Sequence, residues 1–237
     1  TSQKPQVVID AMVDHLEHHN ANVARAMHTL GAEASAAFEA SRHKVASFIG
    51  ADPAEVIFTK NASEALNLVA NTLAWAGSRQ VGPGDEVLIT EMEHHSNIVP
   101  WQLLTERTGA TLRWFGLTDD GQLDLTEIDD LITERTKVVS LTWVSNFLGT
   151  INPVAEIAAR AHAVGALVVV DASQAAPQLP IGVTTCGADL LAFTGHKVVG
   201  PTGIGVLWGR REVLEELPPF LGGGEMIETV TMARSTY

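Results

Sequence analysis

The chain has 237 residues, 46% of them hydrophobic, and a formal net charge of −13, which allows one large domain with a sizeable core and a well-solvated surface. Lysine and arginine are scattered, and the apolar runs fall short of the ~20 residues of a membrane span, so we expect neither nucleic acid nor a membrane as a partner. The single cysteine, Cys186, excludes an internal disulfide and favours a cytoplasmic location.

The first fifty residues predict two helices. Apolar positions recur at helical spacing in residues 6–20, and an alanine-rich stretch, residues 32–50, ends at a glycine that is typical of helix ends. We therefore divide the chain into an N-terminal helical segment, residues 1–30, and a large domain, residues 31–237.

Strands and helices alternate through the rest of the chain. The predicted strands are β-rich runs at residues 55–59, 86–90, 110–117, 137–146, 166–173, 188–197 and 203–209. The predicted helices have apolar positions at helical spacing and lie at residues 64–76, 97–109, 123–132, 153–165 and 213–217. This alternation predicts an α/β fold with a mainly parallel sheet sandwiched between helices.

Polar clusters follow five of the predicted strands. In parallel α/β sheets, ligands bind at the carboxyl ends of the strands. The clusters lie at residues 59–63, 93–97, 145–146, 171–174 and 194–197. Together they predict one site that is built by several loops.

The last cluster contains Lys197, between an apolar strand and a glycine-rich run at residues 200–205. Most lysines in such places are surface residues, but glycines let the backbone approach a ligand, and a lysine held there can form a Schiff base. Asp171 ends a buried strand, where a carboxylate is costly unless it is paired. It forms a cap or a salt bridge, or it faces a cationic ring nitrogen. A pyridoxal 5′-phosphate (PLP) enzyme needs both a lysine and an acid.

Ser63 begins a helix that follows a strand. Helix N-termini bind phosphate through their free N–H groups, so Ser63 is a candidate phosphate-binding residue. In the alternative interpretation, Ser63 is only the N-cap of the helix. The run at residues 200–205 is neither a GxGxxG nor a Walker motif, so a nucleotide-binding α/β protein is a weak alternative.

The histidines do not predict a metal site. His15 and His19 are four residues apart, but the HExxH motif is absent. The adjacent His94 and His95 cannot share one helix face, and no other set of ligands has zinc spacing.

Six stretches carry a family resemblance: FTKNASEALNLVA (58–70), EMEHHSNIVPWQLL (91–104), VSNFLGTINPVAEI (144–157), VVVDASQAAPQLPI (168–181), TGHKVVGPTGIGVLWGR (194–210) and PPFLGGGEMIETV (218–230). With them the chain resembles group II cysteine desulfurases of the Suf iron–sulfur assembly system. These enzymes belong to the class V aminotransferase-like PLP enzymes of fold type I. Selenocysteine lyases share the same stretches.

The resemblance implies roles for four residues around the cofactor ring. Lys197 looks like the lysine that binds the PLP aldehyde, and Asp171 like the partner of the pyridine nitrogen. Gln174 looks like the group near the ring hydroxyl. His94 looks like the residue that stacks on the ring and carries a proton.

The resemblance also implies a phosphate site. Ser63, Thr194 and His196 look like its side chains, with Ala62 contributing backbone alone. Asn146 looks like a contact to cofactor and substrate.

The implied reaction converts L-cysteine to L-alanine and leaves a persulfide on an enzyme cysteine. A scaffold or sulfur-acceptor protein then takes the sulfur, and the family is homodimeric. The family's nucleophilic cysteine and its substrate-binding arginine lie in a C-terminal region beyond the match, and Cys186 occupies no catalytic position. We therefore expect a PLP-binding large domain, truncated at both ends and without the small domain, that does not complete sulfur transfer alone.

Two further alternatives stay open at this stage. One is another PLP enzyme of the same fold, such as a selenocysteine lyase, an aminotransferase or an epimerase. The other is a non-catalytic domain that uses the same fold to bind a partner protein.

Overall fold

The N-terminal part is helical, as the sequence predicts. A computed structural model describes residues 1–24, 27–75, 77–224 and 226–237. Helix α1 spans Gln6–Asp14 and continues into a π-helical turn at His15–His19. Helix α2 spans Thr29–Ile49, and Gly50 ends it in the left-handed conformation, with φ of 71°. Such a φ favours glycine because it lacks a Cβ atom.

A seven-stranded sheet forms the centre of the fold. Its strands are β1 Val56–Thr59, β2 Glu86–Thr90, β3 Thr111–Phe115, β4 Thr136–Thr142, β5 Leu167–Asp171, β6 Leu190–Thr194 and β7 Gly205–Gly209. The spatial order is β1-β7-β6-β5-β4-β2-β3. Strand β7 is antiparallel to both neighbours, and the other pairs are parallel. The mainly parallel α/β sheet is therefore confirmed.

Helices cover both faces of the sheet. They are α3 Ala62–Leu73, α4 Val99–Thr108, α5 Ile128–Leu131, α6 Val154–Ala163 and α7 Arg211–Glu216. Side chains alternate between the two faces along a strand. Val168 of β5 accordingly packs in one core with Ile49 of α2 and Ile157 of α6, while Val169 packs in a second core with Leu66 of α3 and Trp101 of α4. This confirms the sandwiched arrangement.

The acidic helix predicted at residues 123–132 is much shorter than expected, because only Ile128–Leu131 is helical. The preceding residues are held in other local structure. Leu123 forms an isolated antiparallel bridge with Leu117, and the Asp124 carboxylate accepts hydrogen bonds from the N–H and hydroxyl of Thr126. Asp side chains that bond to the backbone in this way compete with helix formation.

The remaining elements are short. Three 3₁₀ turns lie at Pro53–Glu55, His95–Asn97 and Gly195–Lys197. A two-stranded ribbon joins β8, Thr229–Val230, to β9, Ser235–Thr236. No helix in the described ranges has the length and apolar character to cross a bilayer.

Candidate active site

A cavity of about 380 Å³ lies at the carboxyl edge of the sheet, where the loops after β1, β2, β5 and β6 meet. This size is in the range of small-molecule sites. Seven of the nine site residues predicted from the sequence line it: Ala62, Ser63, His94, Asp171, Thr194, His196 and Lys197.

The other two predicted residues do not line the cavity. Asn146 is exposed in a turn after β4, and Gln174 is half-buried in the turn after β5. Their roles remain predictions.

Lys197 and Asp171 both line the cavity, one from the turn after β6 and the other from the end of β5. Lys197 is half-buried in the 3₁₀ turn after β6. Asp171, 4% exposed at the end of β5, accepts a hydrogen bond of 2.9 Å from the Ser173 N–H. The Asp171 carboxylate is therefore held by a local backbone hydrogen bond, and it still opens onto the same space as the lysine.

The N-terminus of α3 contributes the second wall. Asn61 caps this helix, because its side-chain oxygen accepts a hydrogen bond of 2.9 Å from the Glu64 N–H. Ser63 is thus not the capping residue and projects its hydroxyl into the cavity. Thr194, 5% exposed, lines the same cavity, and its hydroxyl has no hydrogen-bond partner in the described part of the chain. A buried polar atom without a partner is costly, which indicates that a ligand group satisfies it.

A hydrogen-bonded row connects two cavity walls. The Oγ atoms of Ser63 and Ser96 are 2.6 Å apart, and Ser96 Oγ lies 3.0 Å from His94 Nδ1. The backbone N–H of Ser96 also donates to His94 Nδ1 at 3.1 Å. The row joins the loop after β2 to the start of α3.

Glycines bring the walls together. A Cβ atom on Gly205 would lie 2.5 Å from backbone atoms of Asn61, so only glycine lets the start of β7 approach the turn before α3 this closely. A Cβ atom on Gly195 would lie 2.5 Å from the side chain of Ile204. The glycines around Lys197 therefore serve close packing of the loops around the cavity.

The family model of class-V aminotransferases matches this chain over residues 1–237. The chain belongs to that family. The resemblance predicted from the sequence is thereby confirmed at the level of the class-V aminotransferases.

Relatives of this class-V aminotransferase chain are named as cysteine desulfurases. A probable cysteine desulfurase of Streptomyces coelicolor is 66% identical over all of this chain and 57% of its own length. A cysteine desulfurase of Haloferax volcanii is 49% identical, with 55% of its length covered. The solved apo structure of a cysteine desulfurase from Thermococcus onnurineus superposes with a TM-score of 0.94 at 42% identity. The match includes all of this chain and 58% of the chain in that structure.

The chain thus spans a little over half the length of these curated relatives. The high TM-score confirms the predicted fold type I architecture. The class-V aminotransferase family is PLP-dependent, which confirms PLP as the cofactor of the family to which the chain belongs.

The residues present fit PLP. The partnerless Thr194 hydroxyl and the N-terminus of α3 suit a phosphate group, since free N–H groups and the helix dipole favour an anion. The buried Asp171 carboxylate suits a cationic ring nitrogen, and Lys197 opens onto the same cavity. Among the described residues, no group of three His, Cys, Asp or Glu side chains is arranged to hold a metal ion.

His196 lines the same cavity. Burial is the largest cause that lowers the pKa of His196, and the nearby positive charges of Lys197 and Lys4 lower it further. The His196 backbone oxygen accepts hydrogen bonds from the Ser2 N–H at 2.9 Å and from Lys4 Nζ at 3.3 Å. A neutral imidazole is therefore favoured beside Lys197.

Glu93 is the main residue that sequence reasoning missed. It is 8% exposed, and burial raises its pKa from the ordinary value of 4.5 to about 8. Hydrogen bonds from Thr90, Asn97 and the Thr142 N–H oppose that rise, and the negative charge of Asp171 adds to it. Glu93 lies three residues after β2, in the polar cluster at residues 93–97, so the cost of burying an acid there was the available signal.

Among the described residues, six more line the cavity without having been predicted: Thr1, Asn61, Ser96, Ser173, Thr202 and Gly203. Ser96 and Ser173 lie within the polar clusters that the sequence shows after β2 and β5. Their position in those clusters was the signal, but nothing in the sequence separates them from neighbouring polar residues.

Proposed function

We propose that this chain forms the PLP-binding part of a cysteine desulfurase, an enzyme that converts L-cysteine to L-alanine and passes on the sulfur. The observation that carries the proposal is the convergence of Lys197, Asp171 and the anion-binding wall of Ser63 and Thr194 on one cavity. The cysteine desulfurases named among its relatives support this choice within the family.

Four residues would act around the ring. When bound, PLP supplies an electron-accepting ring that stabilises negative charge at the α-carbon of an amino acid. Lys197 would hold its aldehyde and Asp171 would keep a proton on its ring nitrogen. His94 would cover the ring and carry a proton, and Gln174 would contact the ring hydroxyl.

The phosphate would lie against the loops after β1 and β6. Ser63, Thr194 and His196 would contact it through their side chains, and Ala62 through its backbone N–H at the first turn of α3. Asn146 would reach cofactor and substrate from the turn after β4. Neither Asn146 nor Gln174 is among the residues that line the cavity.

Cys186 is not suited to receive the sulfur. It is 5% exposed, its Sγ lies 3.7 Å from the Val183 carbonyl oxygen, and burial raises the pKa of its thiol. A nucleophilic cysteine needs access and a lowered pKa. We propose that the acceptor cysteine and the small domain belong to the part of the whole protein outside this chain, and that residues 31–237 form the PLP-binding domain.

The family resemblance extends the proposal to partners. The whole protein would be a cytoplasmic homodimer of the Suf type that delivers sulfur to a scaffold or acceptor protein of iron–sulfur assembly. The single buried cysteine of this chain agrees with a reducing compartment.

The test is an assay of the whole protein with L-cysteine, PLP and a thiol reductant, with alanine and sulfide as the measured products. We expect Lys197→Ala to reduce both products to background. Lys60→Ala is the matched control, because Lys60 also follows a strand at this edge of the sheet but its side chain is 78% exposed. Full turnover by Lys197→Ala would reject the proposal, and turnover of selenocysteine alone would redirect it to a selenocysteine lyase.

A further inference from the structure

The row from His94 through Ser96 to Ser63 favours one direction of hydrogen bonding when Ser63 does not donate to an anion. A backbone N–H can only donate, so His94 Nδ1 accepts from the Ser96 N–H, and the proton of the neutral ring lies on Nε2. With Nδ1 as an acceptor, the Ser96 hydroxyl, 3.0 Å away, donates to it. That uses the one hydrogen of Ser96 Oγ, so the Ser63 hydroxyl donates across the remaining 2.6 Å contact.

This direction matters for an anion. The Ser63 hydroxyl lines the cavity at the first turn of α3, but its hydrogen points to Ser96. To donate to an anion, Ser63 has to withdraw that hydrogen from Ser96. The Ser96 hydroxyl can then turn to donate to Ser63, and His94 Nδ1 loses its second donor.

Ser96 is held firmly enough to act in this way. It is half-buried in the 3₁₀ turn His95–Asn97, and the next residue, Asn97, is 0% exposed. The Asn97 side chain donates to Glu93 at 2.7 Å and accepts from Trp101 Nε1 at 2.9 Å. A serine on such an anchored turn keeps its hydroxyl between the other two partners.

We propose that Ser96 is a positioning residue that couples the anion site at Ser63 to the ring of His94, because filling the site reverses the row of hydrogen bonds. The proposal rests on the proposed function in one respect, namely that Ser63 contacts the phosphate of the cofactor. As a consequence, His94 Nδ1 no longer accepts a hydrogen bond from the Ser96 hydroxyl when the phosphate site is filled.

The coupling predicts that two deletions tighten anion binding. In the native row, an anion gains the Ser63 hydrogen bond but the row loses the one from Ser96 to His94. Ser96→Ala leaves Ser63 free to donate without that loss, and His94→Phe removes the competing acceptor while keeping a ring. One hydrogen bond of ordinary net strength corresponds to roughly 2- to 10-fold in affinity.

The experiment measures the dissociation constant of inorganic phosphate by calorimetry on the whole protein without PLP. We expect phosphate to bind roughly 2- to 10-fold more tightly to Ser96→Ala and to His94→Phe. The double variant should bind no more tightly than either single variant. Ser96→Thr keeps the hydroxyl and should bind as the native protein does.

Two controls separate the coupling from other effects. Ser173→Ala removes another hydroxyl from the same cavity, outside the row, and should not tighten binding. Ser63→Ala should weaken phosphate binding and abolish the effect of Ser96→Ala.

Weaker or unchanged binding by Ser96→Ala would overturn the proposal, since it would make Ser96 a direct anion contact or a bystander. Additive effects of Ser96→Ala and His94→Phe would also overturn it. If Ser63→Ala binds phosphate normally, the coupling is wrong because the anion is not at Ser63. The cysteine assay with Lys197→Ala decides the proposed function independently of all these results.

Discussion

Replacement of Glu93 by glutamine should change the stability of the protein in opposite directions at low and high pH. The carboxylate accepts three hydrogen bonds, from the Thr90 hydroxyl at 2.6 Å, the Asn97 amide at 2.7 Å and the Thr142 N–H at 2.8 Å. The orientation of Asn97 is fixed, because its oxygen accepts from Trp101 Nε1. A glutamine has one acceptor oxygen, so it leaves either the Asn97 amide or the Thr142 N–H without a partner, at a cost of about 1–3 kcal/mol.

The native glutamate has a different, pH-dependent cost. Below pH 4.5 its carboxyl group is protonated in folded and unfolded chains alike. Between the ordinary pKa of 4.5 and the folded-state pKa of about 8, the unfolded chain releases this proton and the folded chain keeps it. Stability therefore falls by about 1.4 kcal/mol per pH unit in this window, on the order of 5 kcal/mol in total. Glutamine does not titrate and avoids that loss.

The difference between the two proteins is the measured quantity. Urea unfolding without PLP should show the Glu93→Gln variant to be less stable by about 1–3 kcal/mol at pH 4.5 and more stable by roughly 2–4 kcal/mol above pH 8. The two stability curves should cross between about pH 5 and pH 7. Parallel curves over the whole range would refute the reasoning, because they would mean that Glu93 is ionised in the folded protein at neutral pH.

Two other predictions concern residues that support the fold around the cavity. Gly205→Ala places a Cβ atom 2.5 Å from the backbone of Asn61, so urea unfolding should show a loss of about 1–3 kcal/mol and PLP titration a weaker affinity. A Cβ atom on Gly116 would have no neighbour within 4 Å, so Gly116→Ala should change neither the stability nor the PLP affinity. Equal effects of the two substitutions would contradict this explanation. Asp189→Asn removes a 5% exposed carboxylate that pairs with Arg210 at 3.4 Å and should destabilise by about 1–3 kcal/mol. Because Asp189 precedes β6, at the edge opposite the cavity, the absorbance of bound PLP should stay unchanged; an altered spectrum would be the contradictory result.

The fold was predictable for those elements whose buried residues form a regular apolar pattern in the sequence. Strand β5, Leu167–Asp171, consists of four apolar residues followed by Asp171, and all five are buried, as a strand covered on both faces requires. The predicted length of the helix at residues 123–132 was wrong because side chains of this segment form local hydrogen bonds. The Asp124 carboxylate bonds to Thr126, and helical spacing of apolar residues does not reveal such competition.

The candidate site was predictable in position but only partly in detail. Polar residues after parallel strands meet at one edge, which places Lys197, Asp171 and Ser63 together. The surroundings of Glu93 depend on the Thr142 N–H, which comes from a strand 49 positions away in the chain. The direction of the row through Ser96 depends on atoms that are 33 positions apart. Such contacts exist only after the chain has folded, so local sequence patterns do not contain them.

Borohydride reduction shows directly whether Lys197 holds the cofactor. The whole protein is incubated with PLP, reduced, digested and mapped by mass spectrometry. We expect a pyridoxyl group on the peptide that contains Lys197. Lys4 is the informative alternative, because its Nζ lies 3.3 Å from the His196 backbone oxygen beside the same cavity. An adduct on Lys4 in place of Lys197, or no adduct on Lys197 with PLP in excess, would show that Lys197 does not hold the cofactor.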